Sequence, residues 1–499
     1  MKPMEAKFMQ RLKPLFSRKY VYALTVFLLF CYYMLWQVNF YLAESLYHTY
    51  YMIVVPVLVG GVLYFRRLRD GVEARLLTVF WLWVWLSRVL NGSPALDRDF
   101  RFVFDLALMI PFCFLGSALS RREREHFLDC FSAIVGGFYF VIGIIALSAF
   151  LRRTQFVNPI TGGYLGIDGA TDFLRINILD THANVTAYWY LMALFLMIYQ
   201  FFHCKRKLWR ITIVLSSLLD LLVIAVSYSR SVRLSMALAF AMLAGALTLR
   251  FFTRAARIPR VLIAAAAALF VLFVAYEGSA LTASVAATLS NQIISPRTIV
   301  EPAAENESPK TQSTSEVSAQ AAPSPPLLAQ RDPRKTDTLD LLSSGRLHIW
   351  RSAFQVLAVK PSVLWKGQLS SEVMTIANTF TNPAETGGVP AHFHNSLLQV
   401  LMTTGLPGLL MALAFLFFVI RRAVFLLGRA VHSAPLDILC VALPVIASLP
   451  HFLLESCLFT SIDARTLFYF LMCGMLTGCC NDHDNWGCDK SQPHCFPYF

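Results

Sequence analysis

The run FSAIVGGFYFVIGIIALSAFL, residues 131–151, contains no charged side chain. It is bounded by Arg121, Arg122 and Arg124 on one side and Arg152 and Arg153 on the other. About 20 apolar residues wound as a helix cross the hydrocarbon layer of a membrane, so this run reads as a transmembrane helix. Similar runs recur at residues 20–42, 50–65, 76–90, 102–119, 183–203, 211–228, 234–252, 261–276, 396–420, 436–454 and 459–478. An all-α polytopic membrane protein of about 12 transmembrane helices is therefore expected.

Composition agrees. Of 499 residues, 57% are apolar and 15% charged, with a mean hydropathy of +0.56. Soluble chains are nearer 45–50% and 25%, which excludes an ordinary soluble enzyme, and the recurrence of spans excludes a single-pass receptor. The net charge of +13 would suggest nucleic acid in a soluble protein. Here the basic residues cluster in the N-terminal tail and in alternate loops, at Arg66/Arg67/Arg69, Arg121/Arg122/Arg124, Lys205/Arg206/Lys207/Arg210, Arg250/Arg254 and Arg421/Arg422. Lys and Arg stay on the cytoplasmic side of membranes, so the charge is a topology signal that places both termini in the cytoplasm and implies no nucleic-acid partner. The first apolar run lacks a small-residue cleavage site and is kept as a span, not a signal peptide.

This topology divides the chain into transmembrane helices 1–9 (residues 1–277), a large exoplasmic loop between helices 9 and 10, helices 10–12 (396–478) and a cytoplasmic tail (479–499). The loop has two parts. Residues 278–338 hold a Pro-, Ala-, Ser-, Glu- and Gln-rich stretch with no aromatic residue, which reads as a flexible linker. In residues 339–395, Leu347, Trp350, Phe354 and Leu357 recur at helical spacing and Pro361 follows as a stop, so a packed helix is expected. The tail holds Cys479, Cys480, His483, Cys488, His494 and Cys495, but their spacing matches no standard zinc pattern, so no metal or cofactor is assigned.

Four polar places lie at the predicted exoplasmic face. They are His394-Asn395 opening span ten, Ser344-Gly345-Arg346 at the start of the loop helix, Ser229-Arg230-Ser231 between spans seven and eight, and Arg175 with His182 and Asn184 before span six. Each has a bland reading: His394, Asn395, His182 and Asn184 suit helix caps, and Arg230 suits an interfacial turn. Arg346 fits this less well, because a cation in the first turn opposes the helix dipole and calls for an anion. Together, arginines at one face offer bidentate partners for a diphosphate. A histidine among them offers a general base. His392 and the His451/Glu455 pair are candidates for the lining alone.

Ser344-Gly345-Arg346 with Trp350, then His394-Asn395 with Leu398 and Gly405-x-x-Gly408, resembles the signature region of the O-antigen ligase and polymerase superfamily. Ser229-Arg230 and His182-x-Asn184 are similar to two earlier landmarks of that family, so the likeness covers residues 175–408. It implies a metal-independent glycosyltransferase of the bacterial cytoplasmic membrane. The donor would be an undecaprenyl-diphosphate-linked glycan, and the acceptor a second glycan, a lipid A core or a protein. By the resemblance, His394 is the base that deprotonates the acceptor hydroxyl and Arg230 and Arg346 hold the donor diphosphate. Asn395, Arg175, His182 and Asn184 are further substrate-binding candidates, with membrane lipid around the donor's tail. The competing class is a transporter or flippase of lipid-linked oligosaccharide, in which Asp105 and Asp220 would be coupling residues instead of interhelical hydrogen-bond formers.

Overall fold

The computed structural model describes residues 18–37, 54, 57–58, 71–92, 103–152, 154–157, 164–168, 175–177, 183–252, 257–293, 346–381, 389–432 and 436–485. The helices are α1 (Arg18–Gln37), α2 (Val72–Leu90), α3 (Met109–Ala118), α4 (Arg121–Arg152), α5 (Ala183–His203), α6 (Lys207–Val226), α7 (Arg230–Phe251) and α8 (Arg257–Ile293). After a gap come α9 (Arg346–Val359), α10 (Ser362–Lys366), α11 (Ser370–Asn378), α12 (Ser396–His432), α13 (Leu436–Ala447), α14 (Leu449–Leu453) and α15 (Ala464–Asn485). Among the described residues, six helices are long and apolar enough to cross a membrane: α4, α5, α6, α7, Ile258–Leu289 within α8 and Ser396–Gly428 within α12. Shorter apolar helices lie at Ala23–Tyr32, Val103–Ala118 and Leu439–Leu453. The chain is an all-α polytopic membrane protein. Most of expected span 50–65, residues 294–345 of the expected linker and loop, and the tail beyond residue 485 lie outside the described residues.

Three expectations need correction. A small antiparallel sheet, β1 (Gln155–Val157), β2 (Tyr164–Asp168) and β3 (Arg175–Asn177), interrupts the helical pattern between α4 and α5. Its register pairs Phe156 with Leu165, Ile167 with Ile176 and Asp168 with Arg175, and its aromatic and β-branched residues favour strands. The boundary at residue 278 is also displaced, since α8 passes Gly278 unbroken and ends at Ile293. The stretch after Gly278 holds four alanines and two leucines and meets no proline before Pro296, so nothing in the sequence stops the helix at Gly278. Finally, α9 forms where expected but buries Ile349, Ser352, Ala353 and Val356, while Leu347 and Phe354 are exposed. The buried face joins Ile349 and Val356 with the small residues Ser352 and Ala353, one step round the helix from the stripe that Leu347 and Phe354 mark.

Local sequence starts and packs these helices. Ser120 and Glu123 begin α4 as a capping pair, with Glu123 Oε2 accepting from the Ser120 amide and hydroxyl at 2.8 Å each. Buried almost all round, α5 and α15 form the centre of the bundle. By contrast, α8 keeps Leu269, Phe270, Phe273 and Leu281 exposed on its outer side, as a lipid-facing helix does. Asp220, expected to hydrogen-bond between helices, is fully buried in α6 with neither carboxylate oxygen hydrogen-bonded among the described residues.

The helix that opens at the site is broken. Within α12, Gly405 adopts φ +72° and Pro407 supplies no amide, so carbonyls of the preceding turn lose their helical partners. The turn between α10 and α11 and the helix α2 satisfy them: Gln368 N donates to Met402 O at 3.0 Å and Trp83 Nε1 to Thr404 O at 2.7 Å. On the same face, Ile349, Ala353, Val356, Val363, Val373, Met374, Ala377, Phe393 and Met402 form a separate small core. The broken helix thus docks α9, α10 and α11, in keeping with the rule that irregular backbone in a membrane protein survives only where protein satisfies it.

A Cβ added at Gly405 would lie 2.5 Å from the Trp365 carbonyl oxygen, in a backbone region costly to any other residue. Gly405→Ala is expected to lower stability by about 1–3 kcal/mol. Gly428→Ala, where a Cβ meets nothing within 4 Å, should be neutral or slightly stabilising. Thermal unfolding of both variants in detergent checks this, and equal midpoints would show that the break is not strained.

Candidate active site

Glu455 follows α14 in the irregular segment leading to α15, and its side chain is 9% exposed. The segment is held to the start of α12 by a set of short bonds. Ser396 Oγ donates to Glu455 O at 2.6 Å and accepts from the amides of Cys457 and Leu458 at 3.2 and 3.0 Å. Asn395 N donates to Ser456 Oγ at 2.9 Å. Two turns of chain, 59 residues apart, are thereby fixed to each other by the Ser396 hydroxyl.

Three side chains converge on the Glu455 carboxylate. Asn184 Nδ2, from the first turn of α5, donates to Oε1 at 2.6 Å, and Arg346 Nη2, from the first residue of α9, donates to the same oxygen at 2.9 Å. His394 Nδ1 stands 3.5 Å from Oε2. Arg346 has the anion its position called for, and that anion belongs to the protein. Burial pushes the Glu455 carboxyl pKa upward, but its contact with His394 and the positive charges around it, Arg346 among them, outweigh burial and hold it well below the usual carboxylate range.

His394 sits in the left-handed region at φ +49°, an uncommon conformation for a residue with a side chain. Trp350 Nε1 holds the preceding carbonyl, that of Phe393, at 2.9 Å, and Asn395 Oδ1 accepts from Leu398 N at 3.0 Å. Asn395 is therefore the N-cap of α12, the bland reading, and its amide also ties the loop to Ser456. The His392 and His394 rings lie 4.1 Å apart between centroids. Together with Glu455 they form a group whose ligand atoms lie within 4.8 Å of one another, a two-histidine, one-carboxylate set of the kind that binds transition metals. Sequence reading had not assigned this set.

Beneath the cluster, His451 is fully buried, with Nδ1 3.2 Å from Ser231 Oγ and its ring stacked 4.5 Å from Tyr188. Tyr188 OH donates to Ser448 Oγ at 2.8 Å. Through Ser231 the start of α7 reaches α14, four residues before Glu455, and Arg230 is the exposed first residue of α7. The structure brings His394, Arg346 and Asn184 together directly, and places Ser229-Arg230-Ser231 beside them through His451. Arg175 has its backbone in β3 opposite Asp168, and His182 lies outside the described residues. Sequence reading treated Glu455 as lining alone. The available signal was an acid at the end of an apolar span, where an ionisable group is costly unless paired.

Residues 215–413 match the family model Wzy_C, described as O-antigen ligase. No curated protein matches the chain. The matched segment contains Arg230, Arg346, His394 and Asn395, while Asn184 and Glu455 fall outside it. Over that segment, less than half of the chain, the protein is similar to O-antigen ligases, and its apolar helices are those of a polytopic membrane protein.

Folding holds the Glu455 carboxyl below its unfolded pKa of about 4.3, so the stability it contributes is complete above that pH. It is lost as pH falls toward the depressed folded value. Glu455→Gln is expected to cost roughly 1–3 kcal/mol at pH 7. The gap between variant and parent should narrow below about pH 4. Unfolding midpoints measured from pH 7 to pH 3 check this, and a pH-independent gap would show that the charge on Glu455 is not what holds the cluster.

Proposed function

We propose, from the premise that the chain is an O-antigen ligase/polymerase superfamily member, that it transfers a glycan from an undecaprenyl-diphosphate carrier to an acceptor hydroxyl at the outer face of the cytoplasmic membrane. The observation that carries this reading is the convergence of His394, Arg346 and Asn184 on the buried Glu455 carboxylate. Both termini are cytoplasmic in this reading, as the basic loops require.

In the reaction the acceptor oxygen bonds to the anomeric carbon, its proton passes to His394, and the carbon–oxygen bond to the carrier breaks with its electron pair leaving on the diphosphate. His394 directs Nδ1 at Glu455, which favours the tautomer whose Nε2 lone pair is free to take that proton. Glu455 is a positioning residue, as the carboxylate behind a catalytic histidine is in hydrolases. Arg346 commits one Nη to Glu455 and has the rest of a five-donor fork for the departing phosphates. Arg230 faces the same charge from the start of α7. Asn184 fixes Glu455, and Arg175, His182 and Asn395 complete the binding candidates. Preorganised cations of this kind lower the barrier by neutralising charge as it develops. The carrier's tail lies in membrane lipid between helices, and the acceptor is a second glycan or a lipid A core. The base is the histidine itself, without a metal.

With purified protein, lipid-linked donor and acceptor, His394→Ala should lower turnover about 10²–10⁴-fold while donor binding persists. A chelator should leave the parent rate unchanged. Parent-like turnover in His394→Ala would remove the base. Loss of the parent rate on chelation would instead give the role to a metal held by His392, His394 and Glu455.

Arg346→Ala and Arg230→Ala should each weaken donor binding or turnover. Lys at either position should recover only part of it, because a point charge lacks the bidentate fork. Unchanged donor kinetics in both Ala variants would overturn the diphosphate clamp.

A further inference from the structure

A cavity of about 660 Å3 lies between α4 and α6 and is closed by the end of α5. Its volume falls in the range of small-molecule sites. It is distant from Glu455: Asn184 and His203 stand at opposite ends of α5, about 28 Å apart at 1.5 Å per residue. The two sites therefore open at opposite faces of the membrane-spanning bundle.

The walls are apolar and the mouth is basic. One face of α4, including Gly137 and Phe140, and one face of α6, ending at Ser216, line a slot that a hydrocarbon chain fits. Ser216 is 5% exposed, and its hydroxyl lies buried in the wall with no hydrogen-bond partner among the described residues. A Cβ added at Gly137 would meet nothing within 4 Å, so the space reaches the α4 backbone. At the mouth stand Lys205, Arg206 and the half-exposed indole of Trp209.

The start of α6 strengthens the positive end. Its N-cap is Arg206, with no side-chain cap and no acidic residue in the first turn, so the helix presents free amides and the positive end of its dipole. The one carboxylate in the lining, Asp129, is tied down. Gln200 Nε2 donates to its Oδ1 at 3.2 Å and to Ser132 Oγ at 2.6 Å, and His203 Nε2 lies 3.7 Å from Oδ2.

We propose that this cavity binds an anionic glycerophospholipid, with its phosphate on Lys205, Arg206 and the α6 amides and one acyl chain between α4 and α6. Basic pockets between transmembrane helices recognise such headgroups by charge, and an interfacial Trp fits the boundary between headgroup and chain. The inference is independent of the glycosyltransferase reading, because no residue of the cavity belongs to the Glu455 cluster.

The test uses the full chain purified in detergent, with retention of phosphatidylglycerol and phosphatidylcholine compared by native mass spectrometry. The parent should retain phosphatidylglycerol roughly tenfold better. Lys205→Ala/Arg206→Ala, at the exposed mouth, should bring the two lipids to parity. Gly137→Leu, which fills the slot, should lose both while its lipid-free melting midpoint stays at the parent value. Equal retention of the two lipids by the parent, or an undiminished preference in the double variant, would overturn the proposal. So would displacement of phosphatidylglycerol by equimolar undecaprenyl phosphate, which would assign the cavity to the carrier.

Discussion

One buried carboxylate organises one end of this helical bundle. Glu455 is 9% exposed and ionised, a state that costs several kcal/mol unless donors surround the charge. Asn184, Arg346 and His394 surround it, and they come from α5, α9 and the approach to α12. These are three segments with no sequence neighbourhood. The requirement to satisfy one charge therefore fixes where three elements meet. It also explains an arginine at a helix start, which the helix dipole alone disfavours.

The second constraint is the break in α12. A continuous helix would have no backbone groups to offer its surroundings, whereas the turn around Gly405 leaves carbonyls that Gln368 and Trp83 take up. Helices α9, α10 and α11 are thus joined to the rest of the bundle by main-chain hydrogen bonds as well as by their own small core. Arg346 at the start of α9 is carried to Glu455 by that docking. The break at Gly405 lies within α12 and His394 stands two residues before its first residue, so the placement of α12 bears on both.

Polar chemistry is divided between the two ends of the bundle. At the Glu455 end, the donors enclose a carboxylate and a histidine pair. At the other end, Lys205 and Arg206 stand over an apolar slot whose acid, Asp129, accepts a hydrogen bond from Gln200 and lies 3.7 Å from His203. Between them α5 is almost wholly buried, with Tyr188, Trp189 and Tyr190 all inside. Such a helix has no lipid-facing side to rotate toward, so it holds its two ends in fixed relation.

The sequence by itself determined the membrane class and most of the helices, and it singled out His394, Arg346 and Asn184 as candidates, because those depend on local hydrophobicity and on polar groups placed where the bilayer makes them costly. It determined α9 as a helix but not its buried face, since helical spacing marked Leu347 and Phe354 whereas packing against the neighbouring helices buries Ile349, Ser352, Ala353 and Val356. It did not reach the three short strands, whose pairing is between segments, or the continuation of α8 past Gly278. Only the tertiary structure decided that Glu455 is the partner of Arg346, 109 residues away, and that Asn395 is a cap as well as a neighbour of the site. A charge pair between distant segments leaves no periodicity in the chain. Its cost and its compensation exist only once folding has removed both groups from water.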